Sequence, residues 1–189
     1  MVQLAQPITT SRLVLRRPRL EDLDDFVLIF EREDVTRYLY WEPRDRDTTL
    51  EILRTRVERS QELEKENVIH VAIERRAQPG VIGDFMLRWE ENEHRQGETG
   101  GSLHPDFHGL GYAAEIYGAL LVLAFEKYHL HRVVGRCDGR NTASIRSLEK
   151  AGFHQEARLV ENEFVKGEWT DEVIMALRRD EWEREHRTR

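Results

Sequence analysis

Residues 103–113 read Leu103-His104-Pro105-Asp106-Phe107-His108-Gly109-Leu110-Gly111-Tyr112-Ala113, and the rest of the chain is read outward from them. Two glycines, one residue apart, precede a pattern in which Ala113, Ile116, Tyr117, Leu120, Ala124, Phe125 and Tyr128 recur at helical spacing. Glycine at such a point accepts positive φ and lets the backbone approach a ligand, so that successive N–H groups point outward. The start of a helix adds its own unsatisfied N–H groups and the positive end of its dipole. Together these suit a phosphate or pyrophosphate. A lone G-x-G is more often an ordinary strand-to-helix turn, so the flanking sequence has to discriminate.

Upstream, a short strand from Glu98 to Leu103 contains the pair Gly100-Gly101, which fits a bulge or a close backbone approach. Downstream come a strand, Arg132-Val133-Val134-Gly135-Arg136-Cys137, and a turn, Asp138-Gly139-Arg140. A helix headed by Asn141-Thr142-Ala143-Ser144 then runs through Leu148. It closes at Ala151-Gly152-Phe153, with Gly152 placed for a C-terminal cap. In this order of elements, and in the wording of 109–115, 130–153 and 164–182, the chain resembles the GNAT superfamily of acyl-coenzyme A-dependent N-acyltransferases. It looks like the RimJ/RimL-type branch, whose founding members acetylate α-amines of ribosomal proteins. The resemblance extends to residues 8–23 and covers nearly the whole chain.

The resemblance implies an α/β (α+β mixed) fold. Its mostly antiparallel mixed sheet has six to seven strands, a splayed central strand pair and about four helices. It implies a single acyltransferase domain over 1–189, with a charged tail at about 183–189, and acetyl-CoA as donor. The pyrophosphate is expected on the amides from about Gly109 to Ala114, within a cofactor-binding set of Leu103, His104, His108, Gly109, Leu110, Gly111, Tyr112, Ala113, Ala114, Asn141 and Ser144. The Leu103 N–H is expected to reach the thioester carbonyl and the Asn141 amide the pantetheine arm. Ser144 is expected near the departing sulfur. Leu148 stands where many relatives carry a tyrosine, and Asp106 where many carry Gln or Arg. Each assignment has a plainer counterpart, since Asn and Ser are common at helix starts for capping alone.

Composition bounds the answer independently. At 189 residues the chain is long enough to bury a core as one domain. Its 39% hydrophobic and 34% charged residues describe a soluble globular protein with a charged surface. No membrane-spanning run or signal-peptide layout appears. A single cysteine cannot form an internal disulfide, which fits the cytoplasm. A net charge of −7 speaks against sequence-independent nucleic-acid binding. No heptad pattern specifies an oligomer, and a homodimer stays open.

In chain order, Arg12–Arg16 alternates as a strand and ends at Pro18, and a helix carrying Leu23, Phe26, Val27 and Phe30 follows from Leu20. Val35–Trp41 reads as irregular and aromatic, and a second helix is expected over about 47–65 with Leu50, Leu53, Val57 and Leu63 on one stripe. By resemblance these helices wall the acceptor groove. Strands at 68–74 and 81–89 are joined through Ala77-Gln78-Pro79-Gly80, and strands at 161–166 and 169–177 flank Gly167-Glu168. Trp182 is expected to tuck back onto the body.

Acyl transfer from a thioester to an amine needs a positioned thioester, a neutral amine, a home for the oxyanion and an exit for the thiolate. A thiol ionises near ~8.5, so Ser144 has only to donate a hydrogen bond. For a general base, Glu98 on the strand entering the loop is the leading candidate, followed by His70, Asp84 and Glu168; no spacing singles one out. The favoured acceptor is a protein N-terminal α-amine. The alternatives are a small-molecule amine (polyamine, amino acid or aminoglycoside) and a non-catalytic acyl-CoA-binding protein of the same fold. A His129-x-His131 metal pair on one strand face and an acyl-carrying Cys137 are weaker readings, because no ligand cluster accompanies the former and a lone strand cysteine is usually a buried hydrophobe.

Overall fold

The computed structural model describes residues 6–61, 67–90 and 92–187. Among them are six α-helices and one mixed sheet of eight strands. The sheet order is β1 (Ile8–Thr9), β2 (Leu13–Arg16), β3 (Val68–Arg75), β4 (Gln78–Trp89), β5 (Gln96–Leu103), β6 (Arg132–Asp138), β8 (Glu168–Arg178) and β7 (His154–Val165). The eighth strand is β1, a two-residue edge too short to show a period in sequence. The chain groups into two compact units, one running to Arg88 and including Gly101–Tyr112, the other taking Trp89–Gly100 and the residues from Ala113 onward.

In the first unit β2, β3 and β4 pair antiparallel, with Leu15 opposite Ile73 and Ile73 opposite Gly83. Leu13 and Leu15, the alternating pair, are fully buried. Three helices, α1 (Leu23–Phe30), α2 (Glu33–Thr36) and α3 (Arg46–Gln61), belong to this unit. Phe26, Ile29 and Phe30 of α1 and Leu53 of α3 pack with Ala72 and Val81, and Trp41 and Val57 close the cluster. Phe30 meets both Phe26 and Trp41 edge-on at 5.3 Å, so part of the aromatic cluster read at 38–41 is core. Where an irregular stretch was expected from Val35, α2 supplies one helical turn first. Leu63 and the expected helix end lie outside the described residues. The β3–β4 turn falls at Arg76-Ala77, two residues early: Pro79 and Gly80 are already within β4, where the register shift between Glu74 and Arg75 leaves both without a partner residue on β3, a position that a proline without an N–H tolerates.

In the second unit β5 and β6 pair parallel only over Gln96–Glu98 against Arg132–Val134 among the described residues, although both strands continue. This is the splayed pair expected of the fold. β6 pairs with β8 throughout, and β7–β8 is a long hairpin whose turn is Lys166-Gly167, both at positive φ. Two positive φ values match the right-handed strand twist, which places the turn one residue before the expected Gly167-Glu168. α4 (Tyr112–Val122) continues as a π-helical stretch over Leu123–Lys127 and buries Ile116, Tyr117, Leu120 and Phe125. α5 (Thr142–Lys150) ends as read: Gly152 takes φ +94 and the Phe153 N–H donates to the Leu148 carbonyl. In α6 (Arg179–Arg187), Trp182 is buried against Phe125. Among the described residues no helix is long and apolar enough to cross a membrane.

Candidate functional site

The glycine loop is built by the end of β5. After Leu103 a single 3-10 turn, Pro105–Phe107, changes the chain direction; His104 starts it by accepting the Asp106 N–H at Nδ1 (3.3 Å). The His104 N–H itself donates to the Ile82 carbonyl (2.8 Å). His108 folds back so that Nε2 lies 2.9 Å from the Leu103 carbonyl. A carbonyl only accepts, so the His108 proton is on Nε2. Gly109 and Gly111 adopt φ of +73° and +79°. A side chain at Gly109 would meet nothing within 4 Å. The backbone there faces open space, which is what an incoming phosphate requires. Asp106 is largely exposed.

Arg12 braces this loop, a role that its place in a strand pattern did not suggest. Its Nη1 donates to the Leu110 carbonyl (2.9 Å) and its guanidinium lies over the Tyr112 ring at 4.6 Å. In a trans peptide the C=O and the following N–H point to opposite sides. Turning the Leu110 carbonyl toward Arg12 therefore sends the Gly111 N–H the other way. No sequence signal could have found this contact, because 98 positions separate the partners.

In the second unit Asn141 and Ser144 come together. The Asn141 Oδ1 accepts the Ser144 N–H (3.0 Å), so Asn141 caps α5 and keeps its amide N–H groups for other partners. The Ser144 hydroxyl lies 3.3 Å from the Cys137 sulfur and is hydrogen-bonded to the Tyr117 hydroxyl. Burial pushes both the Tyr117 phenol and the Cys137 thiol up, which keeps them neutral. A serine held between two neutral groups can offer its O–H to a thiolate without being ionised itself. Tyr117 stands in the apolar stripe of α4, and the sequence signal for its second role is that a buried tyrosine hydroxyl needs a partner. Ala113 and Ala114 occupy the first turn of α4.

The base candidates fall in both units, each with its own partners. Glu98, opposite Val134, lies 3.6 Å from Arg136, which also binds the buried Glu172 at 3.0 Å. Glu168 pairs with Arg140 at the surface (2.7 Å). His70 is on β3 opposite Met86. Asp84 faces Arg56 at 2.7 Å, and burial pushes its carboxyl up against the pull of that arginine. His129 takes φ +51 and β6 begins only at Arg132, so the His129-x-His131 pair is not on a strand, because the chain turns there. Cys137 is a buried free thiol.

Residues 12–154 match the acetyltransferase (GNAT) domain family. The chain belongs to that family, and it is an enzyme of the N-acetyltransferase class. Among curated relatives, the uncharacterized N-acetyltransferase YnaD of Bacillus subtilis is 30% identical over 102 residues, 54% of this chain and 59% of that protein. The spermidine N(1)-acetyltransferase of Vibrio cholerae is 27% identical over 166 residues, 85% of this chain and 90% of its own. Among solved structures, the ribosomal L7/L12 α-N-protein acetyltransferase RimL in complex with coenzyme A superimposes with a TM-score of 0.80 at 18% identity, covering 93% of this chain and 99% of that one.

Proposed function

We propose that this chain is a single acyltransferase domain of the RimJ/RimL type that moves an acetyl group from acetyl-CoA to a protein N-terminal α-amine by direct transfer. The observation that carries the reading is the glycine loop, with Gly109 and Gly111 at positive φ, open space at Gly109 and the Leu110 carbonyl held by Arg12. The coenzyme pyrophosphate is assigned to the loop amides from Gly109 to Ala114, with His104, His108, Leu110 and Tyr112 shaping that seat. The thioester carbonyl goes to the Leu103 N–H and the pantetheine arm to the Asn141 amide. The amine nitrogen attacks the thioester carbon; a C–N bond forms, the C–S bond breaks, and the amine gives one proton to a weak base, for which Glu98 is the candidate, as the coenzyme A thiolate leaves. Ser144 donates its hydroxyl to that sulfur, steadied by Tyr117.

An α-amine ionises near ~8 and a lysine amine near ~10.4, so an α-amine needs only a weak base to be neutral. This fits a site whose nearest acid on β5, Glu98, faces an arginine. RimL, an α-N-protein acetyltransferase of the same fold, supports the acceptor. A small amine is the second reading, favoured by the relative named for spermidine acetylation. Calorimetric titration with acetyl-CoA, desulfo-CoA and adenosine diphosphate tests the donor site; saturable binding partly reproduced by the diphosphate is expected. With binding in hand, Ser144→Ala should lower kcat about tenfold on the best amine of an acceptor screen, the scale of one hydrogen bond to a charged group. An unchanged rate at saturating substrate removes Ser144 from the mechanism.

A further inference from the structure

In the first unit two arginines, twelve positions apart in sequence, converge on one aromatic ring. The Arg44 guanidinium stacks over Trp41 at 3.7 Å and reaches the Phe30 ring at 5.7 Å. Arg56 of α3 lies 5.5 Å from the same Phe30 ring and 6.0 Å from Phe26. Asp84 is buried and contacts Arg56 at 2.7 Å. Burial first and the charge of Arg56 second push the Arg44 guanidinium below its ordinary value, and the Asp84 carboxylate opposes them. Among the described residues, two guanidiniums and one carboxylate leave a half-buried positive charge against aromatic rings, an arrangement that costs stability until an anion arrives. Stacking on Trp41 occupies the face of the Arg44 guanidinium and leaves its N–H groups directed along its plane. That is the geometry in which arginine grips a carboxylate with two bonds.

The place of this cluster in the sheet ties it to the transfer reaction. Asp84 pairs with Ala72, which packs against α1 and α3, so its side chain points to the same helical face. A side chain added at Gly101 of β5 would collide with the Asp84 carbonyl at 2.3 Å, so the two backbones touch two residues before Leu103. We infer that Arg44 and Arg56 form a seat for a carboxylate carried by the acceptor amine. This rests on the acetyltransferase reading above and narrows its substrate class. The acceptor is an amine bearing an acid group, and a polyamine, cationic throughout, is disfavoured at this point.

The test is a nuclear magnetic resonance titration of labelled protein with N-acetylglycine and with its uncharged analogue N-acetylglycinamide, each with and without coenzyme A. The acid should bind at least about tenfold tighter than the carboxamide, the ratio one charge-assisted pair supplies. Arg44→Gln should bring that ratio near unity. Arg46→Gln, which removes an exposed neighbour paired with Asp24, should leave it intact. Equal binding of the two probes, binding of neither, or a preference that survives Arg44→Gln overturns the inference. Failure of coenzyme A itself to bind is a separate result and removes the donor site instead. In turnover, serine offers an α-carboxylate and amidated Ser-Asp-Ser a side-chain one; acetylation of either in preference to spermidine supports the seat and says which acid it takes, and the reverse preference overturns it.

Discussion

Arg12 does at residue scale what no local pattern prescribes. Its hydrogen bond to the Leu110 carbonyl sets which way the next peptide N–H faces. Arg12→Ala should weaken adenosine diphosphate and acetyl-CoA binding about tenfold, the value of one charged hydrogen bond, as read by calorimetry. Arg76→Ala supplies the control, because Arg76 donates to the Thr10 and Ser11 carbonyls next door without touching the loop. It should leave those affinities alone. Cys137 gives a second residue-scale expectation. Burial raises its thiol, and the Ser144 contact opposes that only in part. The folded state therefore keeps this proton longer than the unfolded chain, whose thiol ionises near ~8.5. The contribution to stability is fully present below that pH and is lost as pH rises through the folded value. Urea midpoints measured from neutral to alkaline pH should show a fall that is shallower in Cys137→Ala.

At the scale of elements, one side chain at the head of α5 is proposed to serve two ends. The Asn141 Oδ1 caps the helix by accepting the Ser144 N–H, and the amide N–H groups are the ones proposed for the pantetheine arm. Asn141→Ala should cost about 1 kcal/mol of stability through the lost cap. Asn141→Ser keeps a capping oxygen and should hold the melting temperature while still weakening acetyl-CoA binding. If the serine variant binds the donor as well as the parent, the asparagine is a cap and nothing more. The same helix was legible in sequence from its Asn head to its Gly152 cap, because both ends rest on local backbone chemistry. The hairpin turns were displaced by one or two residues. Their position depends on pairing register and strand twist, which Lys166 and Gly167 satisfy at positive φ and a Pro-Gly dipeptide alone does not reveal.

At the scale of the whole molecule, a ligand that binds only the folded chain stabilises it by mass action. Acetyl-CoA at a hundred times its dissociation constant should add about 2.7 kcal/mol, read as a rise in melting temperature that adenosine diphosphate reproduces in part. A melting temperature indifferent to acetyl-CoA at millimolar concentration contradicts the donor assignment. The acceptor question belongs here as well. The formal charge of −7 describes the surface as a whole, whereas the Arg44 and Arg56 pair sets the sign at one point of it. Global charge speaks for a cation and local charge for an acid, and recognition follows the local arrangement because salt screens the distant charges within about 10 Å.

The sequence by itself determined the family and the order of the longer elements, the glycine loop and the capped helix after it. These rest on periodicity, glycine φ and capping, which act over a few neighbouring residues. Only the tertiary structure decided that Arg12 holds Leu110, that Tyr117 and Cys137 flank Ser144, and that Arg44 and Arg56 share the ring of Phe30. Those contacts join residues far apart in the chain, and the force that closes them is burial of apolar surface, which is non-directional and writes no local pattern for a partner.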